Sequence, residues 1–325
     1  MAAFILRRVL YGFLILVGVN LLTFVLFFTI STPDDMARLN IGGKYISQQQ
    51  IDDWKVQKGY DKPLLWNAAV DGARKLTDTV FWERSVRLFA LDFGASDNGR
   101  DIGHEIATRI GPSVALQIPV FALTIFVSIV FSLAMVFFRG SALDFWGVVL
   151  TVVLLSISSL FYIIAGQYVF SKVMRVVPIS GFADGWALIK FLALPVAISL
   201  VARLGYDARL YRAMFLEELS RDYVRTARAK GLTEQVVLFK HVLRNAMIPV
   251  ITNVFTIFPV LFLGSVVFES FFGIPGLGSY TIEAIGQQDF AVVRAMVFLG
   301  AILYVIGFVL ADVAYTIADP RVRLA

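Results

Sequence analysis

The sequence predicts an all-α membrane protein with six transmembrane helices, and three observations carry that prediction. Of its 325 residues, 58% are hydrophobic and 16% charged, with a mean hydropathy of +0.77. Soluble domains run at about 45–50% apolar and about 25% charged residues. Five stretches, residues 9–30, 114–138, 145–171, 246–268 and 295–311, contain no Asp, Glu, Lys or Arg. A helix needs roughly 20 such residues to cross about 30 Å of hydrocarbon; the last stretch is slightly short, and 291–293 and 313–317 extend it. A sixth, 186–202, is interrupted by Lys190 alone, whose side chain can snorkel to the interface near the helix start. The chain has no cysteine and only two distant histidines, His104 and His241. Disulfide frameworks, thiolate nucleophiles and Cys-ligated metal sites are thereby excluded, and little remains for an imidazole site.

Taken in order, the first run follows Arg7 and Arg8 and could be mistaken for a signal peptide. It exceeds the 7–15 apolar residues of a signal h-region and no Ala-x-Ala-like site follows, so it is expected to stay as an anchor. Six spans put both termini on one side. Short-loop basic residues choose that side: Arg7 and Arg8, Arg139 between the second and third runs, and Arg321 and Arg323 after the sixth. Nine more, from Arg203 to Arg244, fall between the fourth and fifth, so this face is cytoplasmic by the positive-inside rule. The opposite face carries residues 31–113, with eleven basic and twelve acidic residues. Trp54, Trp66, Phe81, Trp82 and Phe89 lie within it, an aromatic content that predicts a folded cap with helical pieces rather than a disordered linker. The expected division is 1–30, 31–113 and a transmembrane core of 114–325 with a cytoplasmic loop at 206–245.

The most informative segment is EELSRDYVRTARAKGLTEQVVLFKHVLRNAMIP, residues 217–249. Good helix formers fill 219–230, and Gly231 stands where a helix commonly ends. Thr233 is the expected N-cap of a second helix, with Glu234 against the positive end of its dipole. That second helix carries Val236, Val237, Phe239, Val242 and Leu243. Helix, glycine corner, helix, tied at both ends to membrane spans, is a device for transmitting a push. A basic loop that only sets topology is the plainer reading.

TARAKGL (226–232) and HVLRNAMIP (241–249) decide between them, because they resemble the coupling loop of ABC importer permeases of the oligopeptide and dipeptide family. The general Glu-Ala-Ala-x-x-x-Gly motif falls here on Arg225, Thr226, Ala227 and Gly231, so the acidic residue and one alanine are replaced. The resemblance continues in RRVLYGFLILVGVNLLTFVLFF (7–28), LDFG (91–94), RVVPISGF (175–182), FESFFGIPGLGSYTIEAIGQQDF (268–290) and ADPRVR (318–323), and matches the B-type subunit. It implies a type I permease fold, with Tyr223, Arg225, Thr226, Ala227, Arg228, Ala229, Lys230, Gly231 and Leu232 forming the coupling helix that docks on an ATPase, and Ala227 and Gly231 allowing close approach. It further implies a second homologous permease subunit, two cytoplasmic ATPases that bind ATP and Mg, and an extracytoplasmic substrate-binding protein. The setting is the bacterial inner membrane and the cargo short peptides or a related small solute. Pro275, Gly276 and Gly278 in the PGLG turn, with Glu269 and Asp289 on either side, would meet the binding protein.

Other signals are weaker. Asp92-Phe93-Gly94 lacks every further kinase segment, and no Walker A pattern is present, so the chain itself is expected to hold no ATP or other cofactor, no catalytic residue and no metal. Glu269 could be a proton-coupling carboxylate, but its place at a span boundary predicts simple solvation. Asp312 is expected at an interhelical pairing or headgroup level. Ser156, Ser158, Ser159, Gln167, Asn253 and Thr256 could line a pathway or join helices. The rival functions are an ion-gradient-driven transporter, which should show inverted repeats and mid-membrane carboxylates, and a non-transporting scaffold.

Overall fold

The computed structural model describes the backbone of residues 2–42 and 45–318, with all side chains there except those of 2–5, 255–262 and 314–318. Arg321 and Arg323 therefore lie outside the described residues, as does the side chain of Thr256. Every regular element among the described residues is helical. The chain divides into two compact units, one of residues 2–110 with 280–305, the other of 111–279 with the residues from 306 onward.

In the first unit, α1 (Ala2–Ile30) turns Phe24 and Phe28 onto Met36, Tyr60 and Val80. The helical pieces expected after it are present, and their ends explain them. Thr32 and Asp35 form a capping box before α2 (Pro33–Ile41), and Ser47 and Gln50 repeat it before α3 (Gln48–Lys58), each satisfying donors that a helix start leaves free. Two short helices, α4 (Arg74–Thr77) and α5 (Val80–Arg84), follow. Aromatic contacts close this core: Trp54 stacks on Tyr60 at 5.6 Å, and the edge of Phe81 meets Phe24 at 5.0 Å. The Asn20 amide donates to the Ser85 carbonyl at 2.8 Å, fixing the segment to α1. Lys62 bridges Asp78 and Glu83, and those two carboxylates hold its ammonium above the ordinary lysine range.

The second unit is built on long helices. These are α6 (Ile102–Phe137), α7 (Ala142–Ser156), α8 (Ser159–Gly166), which continues as a π-helical turn to Val173, and α9 (Ala187–Leu219). After a corner at α10 (Asp222–Ala229) and α11 (Glu234–Val236), the chain continues through a π-helical stretch into α12 (Leu243–Leu263) and α13 (Val266–Phe272). It closes with α14 (Leu277–Gln287) and α15 (Phe290–Ala318), parts of which belong to the first unit. One core joins Leu133 and Val136 of α6 to Tyr211, Phe215 and Leu219 of α9 and to Val242, Ala246 and Val250. A second joins Leu116 and Val120 to Ile163, Leu194, Ile198 and Phe272.

The spans differ from the six expected runs in three ways. Among the described residues four helices are long and apolar enough to cross a membrane, within Leu6–Ile30, Ile102–Phe137, Ala187–Leu219 and Phe290–Val313. The run at 145–171 is not one straight helix: it bends by 89° between α7 and α8. Ile157 and Ser158 adopt extended backbone there, and the Ser156 hydroxyl turns back to the Val152 carbonyl at 2.8 Å, the competition by which serines weaken a helix. The run at 246–268 breaks at Gly264, whose φ of +72° ends α12. Helices α6 and α9 also overrun the expected spans, starting at Ile102 and continuing to Leu219, so 206–219 is helix and not loop. The charges that hid these extensions are paired along the helix, Arg109 with Glu105 at 2.9 Å and Arg203 with Asp207 at 3.5 Å.

Phe24 is 1% exposed and Leu14 of the same helix 59%. Phe24→Ala is expected to cost about 3–5 kcal/mol and to lower the thermal unfolding midpoint in detergent, while Leu14→Ala leaves that midpoint unchanged.

Candidate functional site

The corner between α9 and α12 begins where Ser220 closes α9, its hydroxyl donating to the Glu217 carbonyl at 2.7 Å. Arg221 is extended and α10 starts at Asp222, an acid at the positive end of its dipole. The helix is two-faced. Val224 and Ala227, three residues apart, are buried among Leu219, Val237, Leu238 and Val242, whereas Arg225, Thr226, Arg228, Ala229, Lys230, Gly231 and Leu232 are exposed. Ala227 thus packs on the chain's own core. Tyr223 is half-buried and donates to Glu218 at 2.7 Å; burial pushes its hydroxyl up to about 12.

Gly231, at φ +78°, turns the chain in a conformation that only glycine adopts cheaply. Thr233 occupies the N-cap position as expected, but its hydroxyl makes no capping bond. Glu234 is taken by Arg228 in a bidentate pair at 2.7 and 3.1 Å, and that hydrogen-bonded guanidinium holds its carboxyl below the usual range. This exposed ion pair joins the two arms of the corner. A cavity of about 320 Å³ lies behind it, lined by Arg139, Arg228 and Glu234 with Val136, Phe137, Leu219 and Leu238. Of the second helix's expected apolar residues, Val237 and Val242 are buried and Val236 and Phe239 exposed.

The PGLG turn is organised by Glu269. The expectation that this residue is solvated is overturned: it is fully buried. Its Oε1 accepts from the Ser113 hydroxyl at 2.8 Å and the Ser265 amide at 3.2 Å, and its Oε2 from the Ser279 amide at 3.0 Å. Ser113 accepts in turn from the Leu277 amide at 2.8 Å. One carboxylate therefore gathers the helix break at Gly264, the start of α14 and the middle of α6. A Cβ on Gly264 or Gly276 would collide with that carboxylate, and one on Gly278 would come within 2.9 Å of it, so the glycines are the space in which it sits. Pro275 alone among the turn's proposed contacts is exposed. The sequence announces the glycines; nothing in it points to Ser113, 156 positions away.

Asp289 is also buried, at 4% exposure. It caps α15 by accepting from the Val292 amide at 3.1 Å, and it accepts from the Asp97 amide at 3.1 Å. Burial, reinforced by Asp289, pushes the Asp97 carboxyl up to about 6. Glu269 and Asp289 are thus each committed to hydrogen-bond donors of their own unit. Among the described residues no group of three His, Asp or Glu side chains converges on a metal-sized site, and the His104 amide donates to Asp101 at 2.7 Å.

Residues 113–324 match the family described as the inner membrane component of binding-protein-dependent transport systems, and residues 1–70 match the N-terminal part of such membrane components. The chain belongs to this family. As a permease of this kind it is similar to proteins of known designation along its whole length. A protein of Brucella abortus (strain 2308) named for a peptide transport system permease is 34% identical over 99% of both chains. A peptide permease protein of Brucella suis is 30% identical over 100% of both. The glutathione transport system permease protein GsiC of Salmonella typhimurium is 32% identical over 99% of both. The chain is therefore a multi-pass inner-membrane permease of an ABC importer.

Glu269→Ala leaves two buried donors and one half-buried donor without an acceptor, at about 1–3 kcal/mol for each buried one. The variant permease is expected to unfold at markedly lower temperature in detergent and to be cut by protease near the PGLG turn, where the parent resists.

Proposed function

We propose that this permease is one half of a pathway completed by a second, homologous permease, driven by two ATPases on the cytoplasmic face and supplied by a binding protein outside. The observation that carries the reading is the corner. Its α10 is anchored on the chain's own core by Val224 and Ala227 while seven neighbouring residues stay exposed, which is the construction a docking helix needs. The six spans of this reading are α1, α6, the bent pair α7–α8, α9, α12 and α15. Arg7, Arg8, Arg139 and the basic corner assign their side of the membrane to the cytoplasm. Both termini are then inside and residues 31–101 outside. ATP and Mg belong to the partner subunits.

In mechanism, closure of the ATPases displaces α10, and the displacement passes into α9, with which α10 is continuous but for Ser220 and Arg221, and through the π-helical stretch into α12. Two arrangements of the spans, open outward and open inward, differ in their affinity for the ATP-bound partner, and that difference is what ATP supplies. The relatives' designations support short peptides as the cargo class. The exposed Pro275 and the rim of its turn are the contact offered to the binding protein, with Glu269, Gly276 and Gly278 shaping that rim from within; Asp289, the cap of α15 in the other unit, is proposed separately as part of that contact.

The test uses the assembled importer. Tagged wild-type permease purified in detergent is expected to bring down ATPase subunits, and reconstituted vesicles should take up peptide only with ATP. Gly231→Pro, which forbids the corner's positive φ, should lose the ATPases while its spans still insert. Equal recovery with the variant, or uptake driven by an ion gradient without ATP, would overturn the reading.

A further inference from the structure

The corner can work only if its displacement reaches the helices around the pathway, and one largely shielded contact outside the corner bears on how it does so. In α9, Arg212 stands seven residues before the helix end at Leu219, about 10 Å from it. Its guanidinium grips Asp144, in the first turn of α7, through Nε at 3.0 Å and Nη2 at 2.8 and 3.0 Å. Asp144 is 8% exposed, and its Oδ2 also accepts from the Gly140 amide at 3.2 Å. The carboxylate therefore holds both the start of α7 and the turn before it. A two-toothed Arg–carboxylate pair fixes orientation as well as distance.

Further along the same two helices there is a second point of attachment. Gly205 of α9 lies so near α7 that a Cβ there would come within 2.8 Å of the Thr151 carbonyl and 3.1 Å of Leu154 and Leu155. Thr151 is fully buried. Two separated attachments, one ionic and one of backbone approach, remove the freedom of α7 to slide or swing on α9. Beyond the 89° bend, α8 rests on α9 again through Ile163, Leu194 and Ile198.

We propose that Arg212 and Asp144 are a positioning pair that makes α7 and α9 move as one body, so that displacement of the corner is delivered to the bent α7–α8 segment instead of being lost as slip between helices. The inference rests on the coupling role given to the corner above. Neither residue touches cargo or nucleotide in it. Loss of the pair uncouples: ATP is still hydrolysed, but less cargo moves per ATP.

The experiment measures peptide uptake and ATP hydrolysis together in vesicles of the complete importer. Asp144→Asn, Arg212→Gln and the double variant should each lower uptake per ATP by about tenfold, within the range of typical coupling free energies, with the double no worse than either single. Arg212→Lys, which keeps the charge but not the fork, should lower the ratio less and guards against loss of folding. The chain has no cysteine of its own. With partner thiols blocked beforehand, Asp144→Cys combined with Arg212→Cys can be bridged by a short bis-maleimide, and the bridge should restore the ratio. An unchanged ratio in all variants, parallel loss of hydrolysis and uptake, additive losses, or a bridge that abolishes uptake would each overturn the proposal. If the wild-type importer itself moves peptide without ATP, the coupling reading fails first and takes the pair with it. If the wild type is ATP-driven and the variants keep its ratio, only the pair fails.

Discussion

Hydrocarbon offers no partner to a backbone amide or carbonyl, so each place where an apolar helix of this chain stops has to be answered from inside the protein. The break after α12 is answered by Glu269, which takes the Ser265 and Ser279 amides and the Ser113 hydroxyl. The bend between α7 and α8 is answered by Tyr162, whose hydroxyl donates to the freed Leu154 carbonyl at 3.1 Å. Gln167, at the start of the π-helical turn, donates to the carbonyls of Ile179 and Phe271 at 3.0 Å. A carboxylate with three donors is the costliest of these to disturb, because each donor left bare in a buried site carries its own desolvation penalty.

The charged residues follow the same logic at the helix ends. Arg203 with Asp207, Arg212 with Asp144 and Arg221 with Glu217 carry α9 well past its apolar run. The outermost of these is exposed, at 55% and 69% of its side chains, and contributes little. The pair at Asp144 is largely shielded and fixes a neighbouring helix. Charge along α9 thus changes character from solvated to structural toward the membrane, and the corner is attached at the solvated end.

How much of this was legible beforehand depended on whether the cause was local. The all-helical class, the apolar runs and the corner with Gly231 were readable, because run length, glycine at a helix end and helical periodicity act within a few residues. The capping boxes at Thr32 and Ser47 are equally local. The bend at Ile157–Ser158 was hidden inside an unbroken apolar run, although its three flanking serines were visible. The extension of α9 was obscured because its charges read as loop until their partners are known. The burial of Glu269 and Asp289 depends on Ser113 and Asp97, at separations of 156 and 192 residues, beyond any pattern in a single chain.

On the proposed reading, the exposed face of α10 meets an ATPase and residues 31–101 face the opposite side of the membrane. Photo-crosslinking in inner-membrane vesicles that hold the complete importer tests both statements at once. A photoreactive residue in place of Thr226 should form adducts with the ATPase subunit, and one in place of Leu39, half exposed on α2, should form none with it. ATPase adducts from position 39, or their absence at position 226 while other positions of the permease yield them, would contradict the account.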